Sequence, residues 1–373
     1  MDISQFIKND NYYLNLYKNK KGGLKNIGAT CYINTLIQCL CSLPFFLRFI
    51  LSDTYSSRLQ TNNNINLITE LKSIFKSISI DGNSLIPIRF LKTLKLKFDF
   101  IDINQQNDLH EILLLIINKL NEEIKVSGSL QFYNSYKLES DISDIENDYT
   151  KIETKCYKKW YELHKKEYSE IVELFYGQSI SQIVCGNCLH IHHNHESFNI
   201  LNLELPQHNL NDSDNGDDSS NSINIYDCLK IHTTKELINN DNDDWKCDKC
   251  NEKKTSEKII KYWNFPPNLI ICLKRFYFDK HLGIMSKNNT YIDIPFELDL
   301  KDHTLSNDSH TKYKLMSIGL HFGDIYSGHY SAVVRKNPNN DNDWLMIDDL
   351  SINTIKQKDL KAGNLAYVLF YSI

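Results

Sequence analysis

Apolar positions along the chain fall into two regimes. In the first, they recur at helical spacing: Ile33, Leu36, Ile37 and Leu40 predict an amphipathic helix that opens at Cys31 and is stopped by Ser42-Leu43-Pro44. After a loop over 52–66, residues 67–78 and 90–96 read as short helices. A clear buried stripe follows at Leu109, Ile112, Leu113, Ile116, Ile117 and Leu120. Residues 151–174 read as a mixed-charge helix anchored by Trp160, Leu163, Ile171 and Leu174, broken by Phe175-Tyr176-Gly177. From Gln178 the second regime begins, and apolar residues alternate as in strands: Ile180, Ile183, then Phe198, Ile200, Leu201, Leu203 and Leu205. A short helical segment at 223–237 intervenes. Strands are then predicted at 258–263, 269–276, 313–322, 329–334, 344–348 and 366–371. Polar stretches punctuate the pattern: an extension at 1–22, an exposed connection at 127–150, a low-complexity loop at 209–222 and an acidic loop at 239–244.

Composition narrows the class. With 373 residues, 41% of them apolar and 24% charged, the chain has ample material for a core in two or three lobes. A net charge of −5 gives no basic excess to attract nucleic acid, and no apolar run is long enough to span a bilayer. The N-terminus does not read as a signal peptide. Ten cysteines in such a chain point to reduced thiols and metal ligands, hence to the cytoplasm or nucleus.

Candidate chemistry sits at three places. The small segment Gly28-Ala29-Thr30 delivers Cys31 to the first turn of its helix, where free N–H groups and the helix dipole favour the nucleophilic thiolate. The alternative is a buried structural cysteine. Asn26, five residues upstream, can turn its amide toward the same point and complete a two-donor oxyanion hole with the Cys31 N–H.

Second, Cys185-Gly-Asn-Cys188 and Cys247-Asp-Lys-Cys250 form two C-x2-C knuckles. Four thiolates complete a tetrahedral structural Zn2+ site with no open position for chemistry, and the two knuckles would cap a hairpin-like lobe. Unrelated surface cysteines, or knuckles that have lost their ion, are the competing readings. His190, His192, His193 and His195 read as strand residues rather than ligands.

Third, a cysteine nucleophile needs an imidazole base. Of thirteen histidines, His329 in Tyr326-Ser-Gly-His329-Tyr330 is best placed, opening a strand after a glycine, with His321 its rival. Asp348 and Asp349 end a later strand, and either can orient the imidazole. Asp108 with Glu111 fits a capping box, whereas Gln106 just before it has no such structural role and can line a cleft.

The motifs in this order resemble those of the ubiquitin-specific proteases, papain-like deubiquitinating cysteine peptidases, from about residue 22 to the end of the chain. GLKNIGATCYINTLIQCL is similar to their cysteine box and QQNDLHEI to their glutamine-aspartate segment. VELFYGQSISQIVCGNC with CDKC is similar to their fingers, and PPNLIICLKRF, YSGHYSAVV, WLMIDD and AYVLFY to their palm and histidine box. The resemblance implies an α+β right-hand fold in one catalytic domain over 23–373: thumb near 23–175, zinc-bearing fingers near 176–262, palm near 263–373. It implies Cys31 as nucleophile, His329 as base, Asp348 as orienting acid with Asp349 a second candidate, and Asn26 as oxyanion donor. Gln106, Asp108, Glu111, Phe276 and Tyr330 would meet the arginine-rich, glycine-ended tail of ubiquitin, the implied partner. A peptidase for a ubiquitin-like modifier and a silent, zinc-stabilised ubiquitin-binding scaffold are the alternatives. Any activating protein partner is left unidentified. Ala29, Thr35, Asn107 and Ile347 depart from common family residues, and none of them removes a catalytic group.

Overall fold

The structure, a computed structural model, describes residues 21–59, 65–126, 148–206, 223–238, 245–280, 283–307, 309–325, 327–337, 340–360 and 362–373. The extension up to residue 20, the connection at 127–147 and the loops at 209–222 and 239–244 lie outside the described residues, as does Tyr326.

The first lobe is helical. Helix α1 (Cys31–Cys41) was expected to be amphipathic, yet all eleven of its residues are buried. It lies between neighbouring helices and the large sheet, so its polar positions need internal partners. Gln38 Nε2 donates to the Gly22 carbonyl (2.9 Å), and Asn34 Nδ2 donates to the Leu24 carbonyl (3.2 Å). Around it pack α2 (Pro44–Leu51), α3 (Leu67–Phe75), α4 (Ile88–Lys97) and α5 (Leu109–Ile124). The predicted apolar stripe of α5 is buried at every position.

The single helix expected at 151–174 is two: α6 (Asp148–His164) and α7 (Glu170–Phe175). Between them the Tyr168 carbonyl accepts the Val126 N–H (3.0 Å), and Ser169 Oγ accepts the Ile171 N–H (3.1 Å) to start α7. Ile171 and Leu174 are buried as expected. On α6, Leu163 is exposed and Trp160 only half-buried, and Cys156 fills the inner position instead.

A four-stranded sheet forms the second lobe, in the order β2 (Ile191–Phe198), β1 (Gly177–Val184), β5 (Ser256–Asn264), β4 (Glu236–Ile238). The hairpin-like lobe is thus a broader sheet, with β2 carrying the histidine run. The stretch 176–262 is not all fingers. Strand β3 (Leu201–Leu203) pairs in parallel with β6 (Asn268–Leu273), and α8 (Ile225–Thr233) packs into the palm core.

That palm is an eight-stranded sheet. Its path runs β13 (Ser351–Lys356), β12 (Asn340–Asp348), β11 (Gly328–Asn337), β10 (Lys312–Gly323), β14 (Ala366–Ser372), β6, β3, with β9 (Glu297–Asp299) beside β10. One face, with Ile270, Met316, Ala332, Val334, Ile347 and Val368, packs on α1 and its neighbours. The other face makes a second core with Leu229, Tyr262, Phe265 and Trp344. Both faces being covered, the central strands β6 and β14 are buried at every residue, which hides the period-two signal. A separate hairpin, β7 (Phe276–Asp279) and β8 (Ile284–Lys287), stands off the sheet, so the strand expected over 269–276 ends before Phe276.

Candidate active site

Cys31 is brought to the start of α1 by a turn that only glycine fits. Gly28 adopts φ +101°, and a Cβ there would lie 2.8 Å from the Ile103 carbonyl oxygen. Ala29 donates its N–H to that carbonyl (2.9 Å), fixing the turn against the 103–107 segment. Thr30 precedes the helix but does not cap it. Its Oγ1 instead accepts from the Ile27 N–H (3.2 Å) and donates to Asn26 Oδ1 (3.1 Å). The first amides of α1 therefore stay available, and the backbone N–H groups of Tyr330, Tyr32 and Cys31 itself favour the Cys31 thiolate.

Those donors do not by themselves make a thiolate. Cys31 is only 3% exposed, and burial pushes its thiol above the ordinary range. The Tyr330 amide opposes that shift, the Asp349 carboxylate adds to it, and the helix amides oppose it again, with a net rise. The thiolate expected from the helix seat alone is corrected here: desolvation outweighs the donors. Ionisation needs a positive partner.

The imidazole expected as base, His329, adjoins Tyr330, on the strand that packs against α1. Strand β11 pairs with β10 from Gly323↔Gly328 to Ser317↔Val334, which fixes His329 at its opening. The His329 Nε2 meets Asp348 Oδ1 at 2.6 Å, leaving Nδ1 as the ring's other nitrogen. The rival, His321, has a different character. It is 4% exposed, burial drives its pKa down to about 4, and its Nδ1 has no partner among the described residues. It packs on Phe276 (ring centroids 5.1 Å) and Tyr330 (4.7 Å), so it stays neutral.

The two adjacent carboxylates part ways. Asp349 takes a left-handed φ of 50°, which aims it at the thumb. There its Oδ1 accepts from Asn34 Nδ2 (2.7 Å) and its Oδ2 from Asn26 Nδ2 (3.0 Å). Asn26 Oδ1 also accepts the Thr30 N–H (3.0 Å), which leaves one Nδ2 hydrogen for a further acceptor. Asn34 escaped the sequence reading. A buried asparagine inside an apolar helix was the signal, since such a group needs a partner.

The other expected positions are divided. Asp108 caps α5, accepting the N–H groups of His110 (2.7 Å) and Glu111 (3.3 Å) on Oδ1, while Oδ2 accepts from Tyr367 OH (2.7 Å). Glu111 is exposed on the first turn of α5. Phe276 is half-buried against His321 and Tyr367, and Tyr330 is only 5% exposed. Gln106 spends its amide on the protein itself, with Oε1 accepting the Gly328 N–H (3.1 Å) and Nε2 donating to the Gly328 carbonyl.

The four knuckle cysteines converge. Their sulfurs all lie within 4.8 Å of one another, with Cys185–Cys250 and Cys188–Cys247 each at 3.7 Å. Four thiolates at about 2.3 Å from one ion stand about 3.8 Å apart, so the set fits a tetrahedral metal. The knuckles share one geometry. Leu189 (φ 57°) and Asn251 (φ 59°), each four residues past the first cysteine, close the turns with N–H bonds to the Cys185 and Cys247 carbonyls.

Comparison with known proteins agrees with this arrangement. The family model described as ubiquitin carboxyl-terminal hydrolase matches residues 22–371. Ubiquitin carboxyl-terminal hydrolase 4 of Saccharomyces cerevisiae is 28% identical over 378 residues, covering 94% of this chain and 39% of the relative. Ubiquitin carboxyl-terminal hydrolase 11 of the same organism is 27% identical, covering 94% of this chain and 57% of the relative. The chain thus spans well under two thirds of these relatives' length. Among solved structures, the SAGA DUB module Ubp8/Sgf11/Sus1/Sgf73 bound to monoubiquitin matches with TM-score 0.71 at 22% identity, covering 96% of this chain and 70% of that one. The same module bound to ubiquitin aldehyde gives 0.69. That likeness establishes the α+β thumb–palm–fingers fold, and the family match across nearly the whole sequence shows that this chain belongs to the ubiquitin carboxyl-terminal hydrolase family.

Proposed function

We propose that the chain is a thiol-dependent deubiquitinase that hydrolyses the isopeptide or peptide bond after the C-terminal glycine of ubiquitin. The observation that supports the reading is a set of three groups on packed elements: a buried thiol opening α1, an imidazole bonded to a carboxylate at the start of β11, which packs on that helix, and an amide with one hydrogen left to give. His329 takes the Cys31 proton and forms the thiolate–imidazolium pair that burial alone opposes. The thiolate attacks the glycine carbonyl carbon, and the oxygen takes up the electron pair and the N–H bonds of Cys31 and Asn26. Collapse expels the amine, which takes the proton from His329, and leaves ubiquitin as a thioester on Cys31. His329 then removes a proton from water, hydroxide adds to the thioester, and the thiolate departs. Asp348 orients the ring throughout.

The chemistry of the four-cysteine set suits structural Zn2+, since soft thiolates fill every position and none is left for substrate. The fingers and the carboxylates Asp108 and Glu111 would meet ubiquitin's body and its arginine-rich tail. Ten free thiols suit a reducing compartment, cytoplasm or nucleus. Turnover of a ubiquitin C-terminal fluorogenic amide, with Cys31→Ala as control, tests the reading. Equal rates for the two proteins would refute it, and labelling only by a probe built on a ubiquitin-like modifier would reassign the substrate.

A further inference from the structure

We infer that Gln106 is a positioning residue for His329, a clamp from thumb to palm rather than a contact to substrate. The reason lies in how β11 is held. On one side its ladder with β10 reaches down to Gly323↔Gly328. On the other side its ladder with β12 runs from Asn337 only to Ala332, so residues 328–331 have no ladder partner there. His329 lies in that stretch, paired in a ladder with β10 but not with β12. A strand end laddered on one side only frays more readily than one laddered on both.

The Gln106 amide supplies the missing partner. Its Oε1 accepts the Gly328 N–H (3.1 Å) and its Nε2 donates to the Gly328 carbonyl, the same donor–acceptor pair a neighbouring strand would offer. Gly328 is trapped from behind as well, because a Cβ there would collide with the His321 imidazole. Gln106 is rooted on the thumb side. Asn107 beside it donates to Tyr32 OH (2.9 Å), next to Cys31, and Asp108 two residues on caps α5. One side-chain amide therefore ties the peptide preceding the base to the segment that flanks the nucleophile. Each of its two groups is spent on this bond pair, which leaves one hydrogen and one lone-pair site.

The test is the pH dependence of Cys31 alkylation by iodoacetamide, read by mass spectrometry on the Cys31 peptide of the intact chain. Gln106→Met keeps the shape and removes both bonds, while Gln106→Glu keeps the acceptor and removes the donor. With thermal midpoints unchanged, Gln106→Met slows alkylation about tenfold near pH ~6, where ionisation depends on a seated imidazole, and little near pH ~10. Gln106→Glu falls between it and the parent. Turnover of the ubiquitin amide drops through kcat, with KM nearly unchanged. Faster turnover in Gln106→Met would show that the amide plugs the cleft, and a raised KM with an unaltered alkylation profile would show that it serves the tail. Either overturns the clamp. The inference rests on His329 acting as base, yet alkylation needs no ubiquitin. A parent protein inert toward the ubiquitin amide, but with the alkylation shift in place, would keep the clamp and lose only the substrate.

Discussion

Two sets of cysteines in this chain are folded to opposite ends. Cys31 is solitary: no other cysteine joins it in a cluster among the described residues, and burial pushes it toward the thiol form. The four finger cysteines are collective, each sulfur within 4.8 Å of three others. In the fingers, the amides of Cys188 and Asn187 pull the Cys185 thiol down, while Cys188, despite the His190 amide, is pushed up by desolvation and the neighbouring thiols. Backbone donors are present in both places. What differs is the company each sulfur keeps: other thiols with room for an ion, or, for the proposed nucleophile, the imidazole proposed as its base. A cysteine's fate follows from those neighbours more than from its own turn.

The sharpest way to break this contrast is to remove each kind. Cys31→Ala should cost turnover of the ubiquitin amide a factor of about 10,000 or more, because a cysteine–histidine pair acts as a unit. Its thermal midpoint should stay close to the parent's, since one small buried side chain is lost. Cys247→Ser should do the reverse. It removes a ligand whose site holds on the order of 10 kcal/mol of coupled folding energy. We expect one metal ion per parent chain by elemental analysis and none in the variant, with the β1, β2, β4 and β5 region becoming protease-sensitive. Cys31 should still alkylate at close to the parent rate. A metal-free parent with intact fingers would remove the collective half of the contrast.

How much of this was legible beforehand also divides along the same line. The collective site was readable because its signal is local: two C-x2-C pairs are written in consecutive residues. The proposed members of the solitary site, Cys31, Asn26, His329 and Asp348, could be named through motif order. Its connections could not. Asn34 and Gln106 bond residues 315 and 222 positions away, and no periodicity encodes such pairs. Helix α1 misled for a related reason: its polar residues look like a solvent face until their partners at Gly22, Leu24 and Asp349 come into place. The α6–α7 break was hidden because a backbone bond from Val126, not a proline or glycine, sets it.

A middle-sized effect sharpens the solitary site. Asn26→Ala removes a proposed oxyanion donor, and loss of one such donor costs about 3 kcal/mol, or about a hundredfold in kcat. KM should move little, because the bond forms only as charge develops on the oxygen. The thiol's alkylation rate should change far less than turnover. An equal fall in both would mean that Asn26 acts by placing Cys31.

The smallest expected effect has two signs, which makes it the most informative. Asp349 raises the Cys31 thiol through its charge while holding Asn26 and Asn34 through its two oxygens. Asp349→Asn removes the charge and nearly keeps the shape. The thiol then falls toward its ordinary range, so at neutral pH a larger fraction is thiolate and iodoacetamide reacts a few-fold faster (about threefold). Turnover goes the other way, down about tenfold, because an amide in place of the carboxylate can accept from only one of the two asparagines and must face the other donor with its own. If both rates fall together, Asp349 is acting on the imidazole, and the division of labour between the two carboxylates is reversed. If alkylation rises while turnover falls, the same side chain opposes the nucleophile's ionisation and sets the donor that receives the oxyanion, and the reaction runs faster with that opposition than without it.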